Sequence, residues 1–213
     1  EDGNVFNNAA VSSPLEVGSI MKPLTAAAAL DKRVVTPSTT YYDPAKYKIG
    51  DATVTNIEED GGAGTRSVAD ILQLSLNTGA TWLLMQMGGG EINAKARDAW
   101  YEYMTQHYHF GSPTGIEQGY EAGGSIPDPH DGFGLNIQYA NTSFGQGMTA
   151  TPIQMGAALS GVVNGGTYYR PRLIDQVTDA NGKVTKKRAE KVGRPVVSSD
   201  ISKSMRELMQ NVV

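Results

Sequence analysis

The chain reads as an α+β protein, mainly helical with small peripheral hairpins, and three observations predict this. Pro23 sits ahead of Leu24 and four consecutive alanines, Thr151-Pro152 opens a second apolar helical run, and Asn181-Gly182 separates two short β-prone segments. Proline is tolerated in a first helical turn, alanine has the highest helix propensity, and Asn-Gly is a strong two-residue hairpin signal. The 213 residues suffice for one domain, 1–213, or most of a larger one.

Along the chain, Glu1 to Pro14 is polar and reads as a surface approach to the first long helix. That helix cannot begin much before Ser19, because Pro23 lacks the N–H and the space that a helix interior requires. Thr39–Tyr42 and Ala52–Thr55 suggest a small hairpin-like excursion around Asp43-Pro44, and Gly61–Gly64 reads as a loop. Ser67, with Asp70 three residues on, caps a short helix ending near Leu74, and Thr78–Met87 forms the next, stopped by three glycines. A longer helix is expected from Glu91 to Tyr108, followed by irregular chain from Pro113 to Pro129. Thr151 and Pro152 start a helix running to Val163, Arg172–Val177 and Lys183–Thr185 flank the Asn-Gly turn, and Ser198 to Asp200 cap a last helix. In that last helix Ile201, Met205, Leu208 and Met209 share one face.

Several function classes lose support from composition. A net charge of −4 gives no electrostatic case for nucleic acid, and neither a membrane-spanning apolar run nor a signal peptide is present. The absence of cysteine excludes thiol catalysis, disulfides and Cys-ligated metal. His107 and His109, two residues apart near a helix end, face different directions, so solvated surface histidines are expected rather than a metal pair. His130 beside Asp128 and Asp131 lacks a nucleophile-elbow sequence. Trp82 and Trp100 read as core or cleft-lining aromatics, and the methionines at 85, 87, 205 and 209 as core. No metal and no cofactor is implied.

The chemistry concentrates in Ser19-Ile20-Met21-Lys22. Residues three apart on a helix share a face, so the hydroxyl and the amine can meet as nucleophile and base. Burial and the positive end of a helix both favour neutral lysine, and backbone N–H groups at that end can receive an oxyanion. Ser75-Leu76-Asn77, in the turn between two helices, could aim two more polar side chains into the same cleft. S-x-x-K and S-x-N each occur once, in the order seen in penicillin-binding proteins and class A β-lactamases, whose third motif is K-T-G.

On these motifs the chain resembles the transpeptidase domain of class B penicillin-binding proteins. The resemblance extends over Phe110–Glu117, Phe144–Gln154 and Asn164–Pro171 and covers essentially the whole chain. Val17 stands where the family usually has proline, and no K-T-G or K-S-G triplet occurs. The resemblance implies the transpeptidase/serine β-lactamase-like fold with most of its central antiparallel sheet missing. It also implies catalytic roles for Ser19, Lys22, Ser75 and Asn77, peptidoglycan stem peptides as substrate, β-lactams as acylating ligands, and an extracytoplasmic site in a parent protein anchored upstream. A β-lactamase or β-lactam sensor and a catalytically idle cell-wall scaffold are the alternatives. The chain as given is expected to be a partial, nearly inactive domain. Its helix face from Leu24 to Leu30, lacking the sheet, is expected to be covered by another copy, by a polypeptide carrying the missing strands, or by rearranged termini.

Overall fold

The Ala-rich helix lies at the centre of the molecule. In the computed structural model, which describes residues 7–57 and 62–212, a 3-10 turn Gly18–Met21 leads into α2 (Lys22–Asp31), with Pro23 in its first turn. Leu24 and Ala26–Ala29 are fully buried and Leu30 nearly so. They are covered by α3 (Val68–Gln73), α4 (Asn77–Met87), α7 (Pro152–Val163) and α8 (Ser199–Met209). The face from Leu24 to Leu30 is thus covered from within the chain, with no second copy or separate polypeptide needed to cover it. Alanine extends only a methyl group from the backbone, so helices from the same chain approach closely and fill the space with dispersion contacts.

The flanking elements follow their local signals. Ser67 and Asp70 form a reciprocal capping box on α3, and Thr151 and Gln154 do the same on α7, with Pro152 in its first turn. In α8, Ile201, Met205 and Leu208 are buried, as their spacing predicts. The expected helix from Glu91 to Tyr108 is shorter and broken. α5 (Ala94–Glu102) begins at Asn93, whose side chain accepts from the Ala96 amide at 3.0 Å, and it widens into a π-helical turn at Tyr103–His107. Two helices were not foreseen, α1 (Ala9–Ser12), capped by Asn8, and α6 (Leu135–Ser143). The part of the polar approach at Glu1–Phe6 lies outside the described residues.

Each sheet among the described residues has two antiparallel strands. β1 (Thr40–Asp43) pairs with β4 (Gly64–Ser67), and nested inside it β2 (Lys46–Ile49) pairs with β3 (Ala52–Thr55). Thr39–Tyr42 and Ala52–Thr55 thus do not pair with each other as expected, and Gly64 opens a strand instead of ending a loop; Gly61 lies outside the described residues. β5 (Gln176–Thr178) and β6 (Val184–Lys186) make the predicted hairpin around Asn181-Gly182. Helices with three small peripheral ribbons are the expected α+β architecture.

Buried polar bonds tie the helical region together, α5 to α6 and the chain after the π-helical turn to α2. The Trp100 indole N–H donates to Thr142 Oγ1 at 3.0 Å, and Tyr108 donates to the Leu24 carbonyl at 2.6 Å. Satisfied groups of this kind avoid the cost of burying polar atoms alone.

Candidate active site

Ser19 and Lys22 meet at the start of α2. Lys22 Nζ lies 2.9 Å from Ser19 Oγ and 2.8 Å from Ser75 Oγ, and it also donates to the Ser75 carbonyl. The lysine is 2% exposed, whereas Ser19 is exposed. A buried amine thus sits directly beneath an accessible hydroxyl. Gly18 adopts φ +62° to make the turn into this helix, and its N–H donates to the Gly145 carbonyl at 2.9 Å. Glu16, just before it, accepts from the Gly147 amide at 2.8 Å. The segment after α6 therefore braces the turn that presents Ser19, a role marked in the sequence only by its glycines.

Ser75 occupies the turn between α3 and α4 in the left-handed region, φ +54°. For a residue with a Cβ this costs roughly 1–2 kcal/mol, and it turns both the hydroxyl and the carbonyl of one residue onto Lys22. Asn77 is the first residue of α4, flanking this group, and its Nδ2 donates to the Thr55 carbonyl at 3.0 Å. The structure brings Ser19 and Ser75 each into hydrogen-bonding contact with Lys22 and places Asn77 beside them, held from β3.

A cavity of about 290 Å³ opens over these residues, lined by Ser19, Lys22, Ser75, Pro23, Leu72 and Val212. A larger hollow of about 730 Å³ lies between the β2–β3 turn and the start of α6. It presents Asp51 and Asn136 but no nucleophile paired with a base, so the smaller cavity is the chemical candidate.

The histidines lie elsewhere. His107 is buried, its Nδ1 2.9 Å from the Val196 carbonyl, and burial holds its pKa below the ordinary value. His109 is half-buried against the Tyr168 ring, 4.4 Å away, and burial lowers its pKa as well. The expectation of solvated surface histidines fails for this pair, because His107 reaches the Val196 carbonyl and His109, at φ +59°, packs against the Tyr168 ring. His130 is exposed and its Nε2 meets Asp98 at 2.8 Å. Among the described residues no group of three His, Cys, Asp or Glu side chains could hold a metal ion.

Known proteins similar to this chain fall in one family. The family model for the penicillin binding protein transpeptidase domain matches residues 1–213. Stage V sporulation protein D of Bacillus subtilis is 33% identical over the whole chain, which covers 31% of that protein, and PbpB of Mycolicibacterium smegmatis is 28% identical over 98% of the chain and 30% of its own length. Among solved structures, penicillin binding protein 3 of Mycobacterium tuberculosis complexed with aztreonam superposes with a TM-score of 0.85 at 26% identity, covering 97% of this chain and 43% of the other. Penicillin Binding Protein 2X of Streptococcus thermophilus gives 0.81 at 28% identity, with coverage of 96% and 28%. The chain thus spans about a third of the curated relatives it matches. Two motifs in family order, a matching fold and a family model over the full length lead to one conclusion: the chain belongs to the penicillin-binding protein transpeptidase domain family.

Proposed function

We propose that the chain carries the nucleophile side of a serine D,D-transpeptidase site that cross-links peptidoglycan stem peptides. The observation that carries this reading is Lys22 Nζ, buried and within hydrogen-bonding distance of both Ser19 Oγ and Ser75 Oγ. A neutral amine has two N–H donors and one lone pair. The Ser75 carbonyl can only accept, so one N–H goes there and the second to Ser75 Oγ, which turns the lone pair toward the Ser19 hydroxyl.

Ser19 Oγ attacks the carbonyl between the last two D-alanines while Lys22 takes its proton, and the backbone N–H at the helix start receives the oxyanion. Collapse breaks the C–N bond. The proton held on Lys22 passes through the Ser75 hydroxyl to the leaving amine, and D-alanine departs, leaving an ester on Ser19. An amine of a neighbouring stem then attacks that ester, re-forming an amide and returning the proton to Ser19. Asn77, with its Nδ2 engaged by Thr55, offers its Oδ1 to the substrate amide. β-Lactams acylate Ser19 by the same first step.

This chemistry belongs outside the cytoplasm, where peptidoglycan is assembled, in a parent protein anchored by a segment beyond this chain. Among the described residues no helix is long and apolar enough to cross a membrane. The 213 residues contain no K-T-G or K-S-G triplet, so the isolated chain lacks the lysine and strand edge that would hold the substrate carboxylate and is expected to react slowly or not at all. Labelling of the full-length protein with a fluorescent penicillin tests the reading. A stable label is expected. No label would indicate an idle scaffold, and rapid release of the label a β-lactamase-like protein.

A further inference from the structure

We propose that Asp43 is a positioning residue for the S-x-N segment, acting through Thr78 and Asn56 to fix the orientation of the Asn77 side chain. The inference rests on the transpeptidase reading for its catalytic consequence but on a separate set of contacts for its geometry. Asp43 ends β1, 1% exposed, and its hydrogen-bond donors are two hydroxyls and an amide. Thr78 donates to Oδ2 at 2.6 Å, Tyr41 to the same oxygen at 3.1 Å, and the Ala45 amide to Oδ1 at 2.8 Å. An ionised carboxylate buried at this depth is costly, and an apolar side chain would serve packing alone better.

What the carboxylate supplies is direction. Because it can only accept, the Thr78 hydroxyl must donate to it, and the Thr78 oxygen is then available to accept from Asn56 Nδ2 at 2.7 Å. That sets the sense of the Asn56 amide, whose Oδ1 accepts from the Thr78 N–H at 3.0 Å in the first turn of α4. Asn56 follows Thr55, so the same clamp seats the Thr55 carbonyl where it accepts from Asn77 Nδ2. With its nitrogen held by Thr55, Asn77 directs Oδ1 the other way. Tyr41 adds rigidity: its ring stacks on Trp82 of α4 at 4.0 Å. Burial, then the adjacent Asp43 charge, keep its phenol protonated and hence a donor. The chain of contacts runs from a buried charge to one proposed active-site amide, with every donor and acceptor sense determined by the first.

The test uses the full-length protein and a fluorescent penicillin. Thr78→Val removes the hydroxyl while keeping the shape, and Thr78→Ser restores it. Acylation is expected to fall about ten- to hundredfold in Thr78→Val, to recover in Thr78→Ser, and to show no further loss when Thr78→Val is added to Asn77→Ala. Wild-type rates in Thr78→Val, or a penalty that simply adds to that of Asn77→Ala, would overturn the proposal, since a general loss of packing adds and a relay does not. Should the wild-type protein take no label at Ser19, the transpeptidase reading fails on its own. The positioning claim is then decided by hydrogen exchange in the peptide spanning residues 75–81. Faster exchange in Thr78→Val, reversed in Thr78→Ser, supports it, and unchanged exchange refutes it.

Discussion

Gly145 is packed against Gly18 so closely that a Cβ on Gly145 would lie 2.1 Å from the Gly18 carbonyl oxygen. Gly145 also holds φ +83°, and its own carbonyl accepts the Gly18 N–H. The two glycines form a backbone-to-backbone joint directly beneath Ser19. Gly145→Ala must push the two backbones apart, and a displacement of this size at a nucleophile is expected to lower penicillin acylation about 100-fold. Gly156→Ala, in α7 where nothing lies within 4 Å of an added methyl, is the matched control and should acylate at the wild-type rate.

Lys22→Met keeps the buried stem and deletes the amine. Loss of a general base is expected to slow acylation by about 10²–10⁴-fold, with the far-ultraviolet circular dichroism spectrum unchanged. Acylation near the wild-type rate in a folded Lys22→Met protein would remove the lysine from the base role.

Trp100 is fully buried and bonded to Thr142. Trp100→Ala is expected to cost about 3–5 kcal/mol, which at roughly 2–4 °C per kcal/mol for a chain of this size lowers Tm by about 10 °C. A calorimetric scan reads this directly.

His107 and His109 make stability pH-dependent. Burial lowers both folded-state pKa values below the ordinary 6.5, so on acidification the unfolded chain takes up protons before the folded one does. Stability is fully present above about pH 6.5 and is lost as pH falls toward the folded values, at no more than about 1.4 kcal/mol per pH unit for each histidine. Urea unfolding at pH 7 and pH 5 should show the loss, and His107→Phe should make it shallower.

What could be read from the sequence was what neighbouring residues decide. The Ser19/Lys22 contact needs only a helical turn, the α7 start needs only Thr151, Pro152 and Gln154, and the β5–β6 hairpin needs only Asn-Gly. What could not be read depends on distant partners. β1 pairs across a nested hairpin with β4, so Tyr41 lies opposite Arg66, and no local signal specifies that register. α6 (Leu135–Ser143) is built largely from residue types of middling helix propensity, Asn, Ile, Tyr, Thr and Ser, with no clear start signal, and its helix is held by burying Tyr139, Ala140 and Thr142. The alanines of α2 were expected to need a sheet over them, but helices contributed from as far along the chain as Ser199 cover them instead. At the site, the left-handed backbone of Ser75 and the Asp43 relay are both tertiary in origin, and a motif search sees neither.

The central claim is that Ser19 is the nucleophile, and intact-mass analysis of the full-length protein after exposure to penicillin tests it most directly. The account predicts a gain of one drug mass, located on the peptide containing Ser19, and no gain in Ser19→Ala. A Ser19→Ala protein that takes up the drug at the wild-type rate, or an adduct located on another residue, would contradict it.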